Sequence, residues 1–122
     1  MQKNNSYYFL LVFIILTITS CVQKKQSKVL VLKVTTANEK NIDSIGVRGN
    51  WKPLSWRKDF TLTPIVKDSL YTATFTIETG YKFIEIKFSK NGELELANET
   101  NRRVYFSETD TTFYNATYNV AP

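Results

Sequence analysis

Few side chains in this sequence could perform acid–base or nucleophilic chemistry. The chain has no histidine and a single cysteine, which excludes the histidine-based catalytic triads and zinc sites built from those two residue types. Carboxylates remain, and glycoside hydrolysis needs a pair of them. However, Glu85, Glu93 and Glu95 lie in segments where apolar and polar residues alternate, which predicts that they face solvent. We therefore predict a protein that is not an enzyme and that holds no cofactor or metal ion.

Both tryptophans lie in one turn-rich segment, residues 47–56, which reads VRGNWKPLSW. Gly49 permits a backbone turn, and the asparagine, proline and serine of this segment are typical of loops. One interpretation is that both rings close the end of a small core, because tryptophan carries a large apolar surface. The other is that Trp51 or Trp56 stays exposed as a flat platform for a ligand with a flat apolar face.

The first part of the chain has the pattern of a secretory leader. Residues 7–18 are almost wholly apolar, which is the length of a signal-peptide core and too short for a typical membrane-spanning helix. The sequence Ile18-Thr19-Ser20-Cys21 that follows resembles the lipobox of bacterial lipoproteins, which implies that Cys21 is lipidated and becomes the new amino terminus. We expect a signal peptide over residues 1–20, a lipidated polar tether over 21–28 and membrane anchoring by acyl chains.

The net charge of +5 comes from the beginning of the chain. From Val34 onward there are eleven acidic and eleven basic residues, so the predicted domain is formally neutral. The excess is carried by Lys3, Lys24, Lys25, Lys28 and Lys33. A short basic tether beside anionic lipid explains this excess, and no basic stripe interleaved with aromatic residues indicates a nucleic-acid partner.

The residues after Cys21 bear on the location of the protein. In one group of Gram-negative bacteria, an acidic run after the lipidated cysteine directs lipoproteins to the cell surface. Residues 22–26, VQKKQ, contain no acidic residue. By that resemblance we expect a protein of the bacterial cell envelope that faces the periplasm.

The rest of the chain is patterned as short strands. The predicted strands cover residues 29–36, 42–48, 58–63, 70–78, 81–90, 93–97, 102–106 and 112–120. Leu70 to Glu78 alternates strictly, which indicates one buried and one solvated face, and Asn91-Gly92 is typical of a type I′ hairpin. With no helical periodicity of useful length, this pattern predicts one all-β domain over residues 29–122, an antiparallel immunoglobulin-like β-sandwich of seven or eight strands.

Three of these stretches resemble the starch-binding family 20 and glycogen-binding family 48 carbohydrate-binding modules. They are residues 47–56 with Phe60 and Leu62 downstream, residues 71–75 leading into Ile84–Phe88, and Asn101-Arg102. The resemblance implies an α-glucan ligand that lies across two aromatic platforms. It also implies that a lysine and an asparagine bond the sugar hydroxyls.

The resemblance places these roles on particular residues. Trp56 matches the first platform, whereas Trp51 matches a position that is usually packed. Lys87 matches the lysine and Asn101 the asparagine. We therefore expect the carbohydrate-binding residues to be Trp56, Lys87, Asn101 and Trp51.

The second platform departs from the family pattern, because Leu96 occupies its position and a leucine offers no flat ring. The sequence leaves open whether Tyr81, Phe83 or Tyr105 replaces it from another strand. It also leaves open a second function, that of an accessory module that docks a protein partner of the envelope without binding sugar. A glucan binder should keep Trp56 and Lys87 exposed on one surface, whereas an interaction module should show a wider apolar patch.

Overall fold

The computed structural model describes residues 24–122, and every regular element in that range is a β-strand. The nine strands are β1 (Gln26–Thr35), β2 (Ile45–Gly49), β3 (Phe60–Thr61), β4 (Thr63–Val66), β5 (Leu70–Thr79), β6 (Phe83–Lys90), β7 (Glu93–Leu94), β8 (Arg102–Tyr105) and β9 (Thr111–Thr117). They form two sheets in a sandwich-like arrangement. Sheet I has the order β4-β5-β1-β9, and sheet II has the order β3-β2-β6, with β7 and β8 both paired to β6.

The predicted all-β fold with two packed sheets is confirmed, but the strand count and the pairing differ from the prediction. A connection was expected over the residues of β4, because they include Pro64. Proline is tolerated on an edge strand such as this one, whose register shifts between Pro64 and Val66. The sheets are also not purely antiparallel, since β1 and β9 run parallel. The chain returns to sheet I beside the start of β1, where the Val29 amide donates to the Asp110 carbonyl at 2.8 Å.

Alternation along β1, β5 and β6 builds the core, as the period of two predicts. The inward side chains of these three strands are buried: Leu30, Leu32, Val34, Tyr71, Ala73, Phe75, Ile77, Ile84, Ile86 and Phe88. Strands β1 and β5 pair over ten residues each, so their inward side chains lie side by side. This apolar layer fixes which face of each strand is left for solvent or ligand.

The hairpin predicted at Asn91-Gly92 is confirmed. Asn91 has φ 52° and Gly92 has φ 83°, and Lys90 pairs with Glu93 across the turn. Positive φ at both central residues is the requirement of a type I′ turn. The Asn91 side chain also accepts hydrogen bonds from the amides of residues 43 and 44, at 2.7 Å and 3.0 Å. The turn therefore ties the β1–β2 connection to sheet II.

The predicted tether is shorter in the structure, because β1 begins at Gln26. Lys28 belongs to β1, and its ammonium is buried and donates to three backbone carbonyls, at 2.9 Å (Ser107), 3.3 Å (Glu108) and 2.9 Å (Thr109). Lys28 therefore holds the β8–β9 connection rather than contributing a free tether charge. The predicted signal peptide and the lipidation site Cys21 lie outside the described residues. No helix within residues 24–122 has the length and apolar character needed to cross a membrane.

Tyr118 makes the stability of the fold sensitive to alkaline pH. Its hydroxyl donates to the Glu93 carbonyl at 3.2 Å. Burial, followed by the nearby charges of Glu95 and Glu39, raises the pKa of Tyr118 from 10.0 to about 12. The unfolded chain therefore ionises first, so the contribution of Tyr118 to stability is complete below pH 10.0 and is lost as the pH rises to about 12.

We expect the free energy of unfolding to fall more steeply over this alkaline range in the wild-type protein than in Tyr118→Phe. Urea denaturation at a series of pH values measures both slopes. As a control, both proteins should unfold cooperatively at neutral pH, which shows that Tyr118→Phe is folded. If the free energy of unfolding falls equally steeply with pH in both proteins, Tyr118 does not ionise in this way.

Candidate functional site

The outer side of sheet II carries most of the residues that the sequence singled out. Strand β6 pairs with β8 so that Phe83 is opposite Tyr105 and Glu85 is opposite Arg103. Extending this register by one residue places Lys87 opposite Asn101. We call these six residues the β6–β8 surface. Successive rows are two residues apart along each strand, so the three rows span about 14 Å.

The first row is aromatic. The rings of Phe83 and Tyr105 are 5.2 Å apart between centroids and inclined at 46°. The guanidinium of Arg103 lies 4.9 Å from the Phe83 centroid, within the range of a cation–π contact. Because 60% of Tyr105 is exposed, its ring is available to a ligand, while Phe83 supports it from one side and Arg103 covers Phe83.

The polar residues of the second and third rows are connected to each other. Arg103 Nε lies 3.4 Å from Glu85 Oε1, and Asn101 Nδ2 donates to Glu85 Oε2 at 3.3 Å. The neighbouring Tyr105 hydroxyl, followed by the Glu85 carboxylate, raises the pKa of Arg103 above its usual value. These side chains border a groove of about 560 Å³, which is lined by Glu85, Glu99, Thr100, Asn101, Arg103 and Pro122.

Lys87 lies on this side of the sheet, but the expectation that it stays exposed there with Trp56 is wrong, because its ammonium is not free. Only 9% of the residue is exposed, and Nζ donates to the carbonyls of Leu96 at 2.9 Å and Glu99 at 3.0 Å. The loop that supplies these carbonyls folds over the strand, and its residues Leu96 and Asn98 have positive φ values of 52° and 63°. Lys87 therefore fixes the loop that leads to Asn101. The Leu96 side chain is itself buried, so it cannot serve as a platform.

Trp56 lies toward the other edge of sheet II and is half-buried. Its carbonyl accepts a hydrogen bond of 3.5 Å from Arg48, which is opposite Lys87 in the pairing of β2 with β6. Arg48 is also held by an ion pair of 2.6 Å with Asp59. The structure thus places Trp56, Lys87 and Asn101 on or beside sheet II, but Trp56 does not line the groove beside Asn101.

Trp51 is half-buried in a different place, beside the end of β5. Its indole N–H donates to the Glu78 carbonyl at 2.8 Å, and its ring contacts Tyr81 edge-on at 5.3 Å. A groove of about 980 Å³ runs along it, lined by Lys25, Asn50, Trp51, Lys52, Pro53, Thr76 and Glu78. Trp51 therefore packs partly on the core and partly lines a groove, and a role for either tryptophan as a ligand platform stays a prediction.

The expectation that Glu95 faces solvent is wrong. The prediction assumed that the strand continues through Glu95, but β7 ends at Leu94, so the alternation does not extend to Glu95. Glu95 is 1% exposed and pairs with Arg102, which is 2% exposed. Burial by itself would lower the pKa of Arg102, but its hydrogen bond and ion pair with Glu95 outweigh burial and raise that pKa. The pair is structural and is not placed as a catalytic carboxylate would be.

Sequence reasoning missed the roles of Arg103 and of the Phe83–Tyr105 pair. Both aromatic positions were candidates for a second platform, but nothing in the sequence showed that β6 and β8 are neighbours. Their alternation with buried residues was the available signal. Tyr81, the third candidate, packs on Trp51 instead.

No protein-family model and no curated protein matches this chain. Within residues 24–122, no group of three or more histidine, cysteine, aspartate or glutamate side chains is arranged to hold a metal ion. The β6–β8 surface and the Trp51 groove each contain a residue that the sequence predicted to bind a ligand, Asn101 and Trp51.

Proposed function

We propose that this protein is a non-catalytic carbohydrate-binding module of a membrane-anchored lipoprotein and that it binds α-glucan on the β6–β8 surface. One observation carries the proposal: the exposed Tyr105 ring adjoins three polar side chains that contact one another, Arg103, Glu85 and Asn101. The module is of the immunoglobulin-like, starch-binding type. Its acyl anchor is at Cys21, and it faces the periplasm of the cell envelope.

The chemistry of a sugar ring supports this assignment. A pyranose has an apolar C–H face that stacks on an aromatic ring, and a rim of hydroxyls that planar carboxylate, amide and guanidinium groups can bond. Tyr105 supplies the ring, in place of the platform that the buried Leu96 does not provide. Glu85, Arg103 and Asn101 already hold one another, so binding immobilises few additional rotamers.

The expected affinity is modest. One aromatic side chain buries about 150–250 Å², which is worth several kcal/mol at about 25 cal/mol/Å². Association costs roughly 4–15 kcal/mol, so hydrogen bonds from Arg103, Glu85 and Asn101 must supply the rest of the binding free energy. We expect a dissociation constant in the micromolar to millimolar range. The resemblance of the tryptophan segment and of Asn101-Arg102 to starch-binding modules indicates α-glucan as the sugar.

Removing the aromatic or the polar part of the surface should weaken this binding strongly. We expect maltoheptaose to bind the wild-type protein in isothermal titration calorimetry, and Tyr105→Ala or Asn101→Ala to weaken it at least tenfold. Phe113→Ala is the matched control, because Phe113 is 70% exposed but lies on sheet I, so this variant should bind as the wild type does.

Two results would contradict this assignment. Absence of heat at millimolar maltoheptaose would exclude an α-glucan ligand. Loss of binding in folded Trp51→Ala or Trp56→Ala, with binding retained in Tyr105→Ala, would place the sugar at the tryptophan segment instead.

A second candidate function is an accessory module that docks a protein of the envelope. The observation in its favour is the edge strand β9, which has no charged residue and presents Phe113 beside Val31 on the outer side of sheet I. Unpaired edges of this kind readily accept a strand from another chain. If maltoheptaose does not bind, this becomes the working function, and Phe113→Asp is the variant that should lose the partner.

A further inference from the structure

One end of the sandwich brings the start of the described chain next to the turn between the two sheets. Lys24 and Lys25 immediately precede β1, while Tyr81 and Lys82 lie between β5 and β6. All four residues are exposed, Tyr81 by 60%. A cavity of about 550 Å³ opens between Lys24, Tyr81 and Lys82, and Tyr105 also lines it. We call these four residues the tether end.

We propose that the tether end lies against an anionic phospholipid surface and sets the orientation of the module on its membrane. This inference rests on the proposed lipid anchor at Cys21. Lys24 is three positions after Cys21, and three residue steps of any conformation span at most about 11 Å. A lipidated Cys21 therefore keeps Lys24 within about that distance of the headgroups.

The chemistry of the tether end suits a membrane surface. Lysine ammonium groups attract anionic headgroups, and tyrosine is enriched at membrane interfaces because one end of its ring is apolar and the other is polar. The Tyr81 ring is backed by Trp51, which contacts it at 5.3 Å and keeps it in place. The cavity between Lys24 and Lys82 is open to a phosphate group.

Acidic groups also lie at this end and limit its charge. Glu108 lines the cavity, Asp110 follows in the same connection, and Glu78 lines the groove that Lys25 and Lys52 border. The ammonium of Lys28 is taken up by three carbonyls and is not available to lipid. Attraction to lipid therefore depends on the exposed lysines Lys24, Lys25 and Lys82, with Lys52 exposed beside Lys25.

The opposite end of the sandwich has a different composition. It carries the β1–β2 connection, the β4–β5 turn and the Asn91-Gly92 hairpin, with the acidic residues Glu39, Asp43, Asp68 and Glu93. Its lysines are Lys40, Lys67 and Lys90, and Lys90 is paired with Glu39 at 3.7 Å. This end carries four acidic residues and three lysines, whereas the tether end has four exposed lysines, counting Lys52, beside three acidic residues. It also has no counterpart to the exposed Tyr81, so it suits an anionic surface less well than the tether end does.

The test uses the full chain, expressed with its anchor and reconstituted in vesicles of phosphatidylcholine and phosphatidylglycerol at a ratio of about 3:1. A fluorophore is attached to a cysteine introduced by Gly80→Cys at the tether end or by Ala37→Cys at the opposite end. Acylation consumes the Cys21 thiol, so each introduced cysteine is the single free thiol of its protein. We expect brominated lipid to quench the label at position 80 at least threefold more than the label at position 37.

Charge variants test the role of the lysines. The combination Lys24→Glu, Lys25→Glu and Lys82→Glu should reduce quenching at position 80 by at least half. The matched combination Lys40→Glu, Lys58→Glu and Lys67→Glu changes three exposed lysines outside the tether end and should leave quenching at position 80 unchanged. In vesicles of phosphatidylcholine alone, the difference between positions 80 and 37 should shrink.

The failure of the anchor and the failure of the orientation give different results. Mass spectrometry of the chain reports whether Cys21 is acylated, and an unmodified Cys21 would overturn both the anchor and this inference. Equal quenching at the two positions in an acylated protein would overturn the orientation alone. Equal behaviour in neutral and anionic vesicles would overturn the requirement for anionic lipid. Because Tyr105 also lines this cavity, maltoheptaose titration is made without vesicles, so that its outcome does not depend on lipid.

Discussion

Replacing Arg102 with methionine should lower the free energy of unfolding by roughly 3–5 kcal/mol, the usual cost of breaking a buried ion pair by removing one partner. The substitution leaves the Glu95 carboxylate 1% exposed without its guanidinium. It also removes hydrogen bonds from Nη2 to the carbonyls of Thr117 at 3.0 Å and Val120 at 2.7 Å. Urea denaturation of the two proteins at neutral pH measures the difference.

The control is the double variant Arg102→Met with Glu95→Leu, which removes both charges. We expect it to recover a large part of the lost stability, because a well-packed apolar pair avoids the cost of a buried unpaired charge. Glu95 also accepts hydrogen bonds from the amides of Phe88 at 3.1 Å and Asn119 at 2.8 Å, so the recovery should be incomplete. An Arg102→Met protein within about 1 kcal/mol of wild type would show that the pair is not structural.

This ion pair is also coupled to the proposed binding site. Arg102 directly follows Asn101 and holds the C-terminal segment through the Val120 carbonyl. Pro122, two residues further on, lines the groove beside Glu85 and Asn101. Loss of Arg102 should therefore loosen one wall of that groove as well as the core beneath it.

Replacing Gly49 with alanine should have the second largest effect. A Cβ atom at this position would lie 2.8 Å from the Glu85 carbonyl oxygen and 2.9 Å from Leu54 Cδ1. The Glu85 oxygen is backbone and accepts a hydrogen bond from the Asn50 amide at 3.1 Å, so it cannot move without separating β2 from β6. Overpacking of this kind typically costs about 1–3 kcal/mol.

The same substitution should weaken maltoheptaose binding by about tenfold or more, because Glu85 holds both Asn101 and Arg103. Denaturation and calorimetry on one preparation measure the two effects together. Gly80→Ala is the control, since Gly80 lies in an exposed turn and its replacement should change neither quantity. Unchanged stability and unchanged sugar binding in Gly49→Ala would contradict the close approach of β2 and β6.

The sequence alone was sufficient for the fold class. Strict alternation in Leu70 to Glu78 predicted the buried face of β5, and Asn91-Gly92 predicted the hairpin, because both signals are local. The parallel pairing of β1 with β9 could not be predicted in the same way, since it joins segments about eighty residues apart. Pairings between distant strands depend on the path of the whole chain.

For the candidate site, the sequence determined which residues share a face of each strand, because the period of two is a property of the backbone. Only the tertiary structure decided what covers that face. The loop at Leu96 to Glu99 accepts hydrogen bonds from the Lys87 ammonium, and Glu95 is buried in an ion pair with Arg102. The pairing of β6 with β8 places Tyr105 beside Phe83. Burial of a charge and adjacency of two rings depend on contacts between distant segments, which a local pattern does not contain.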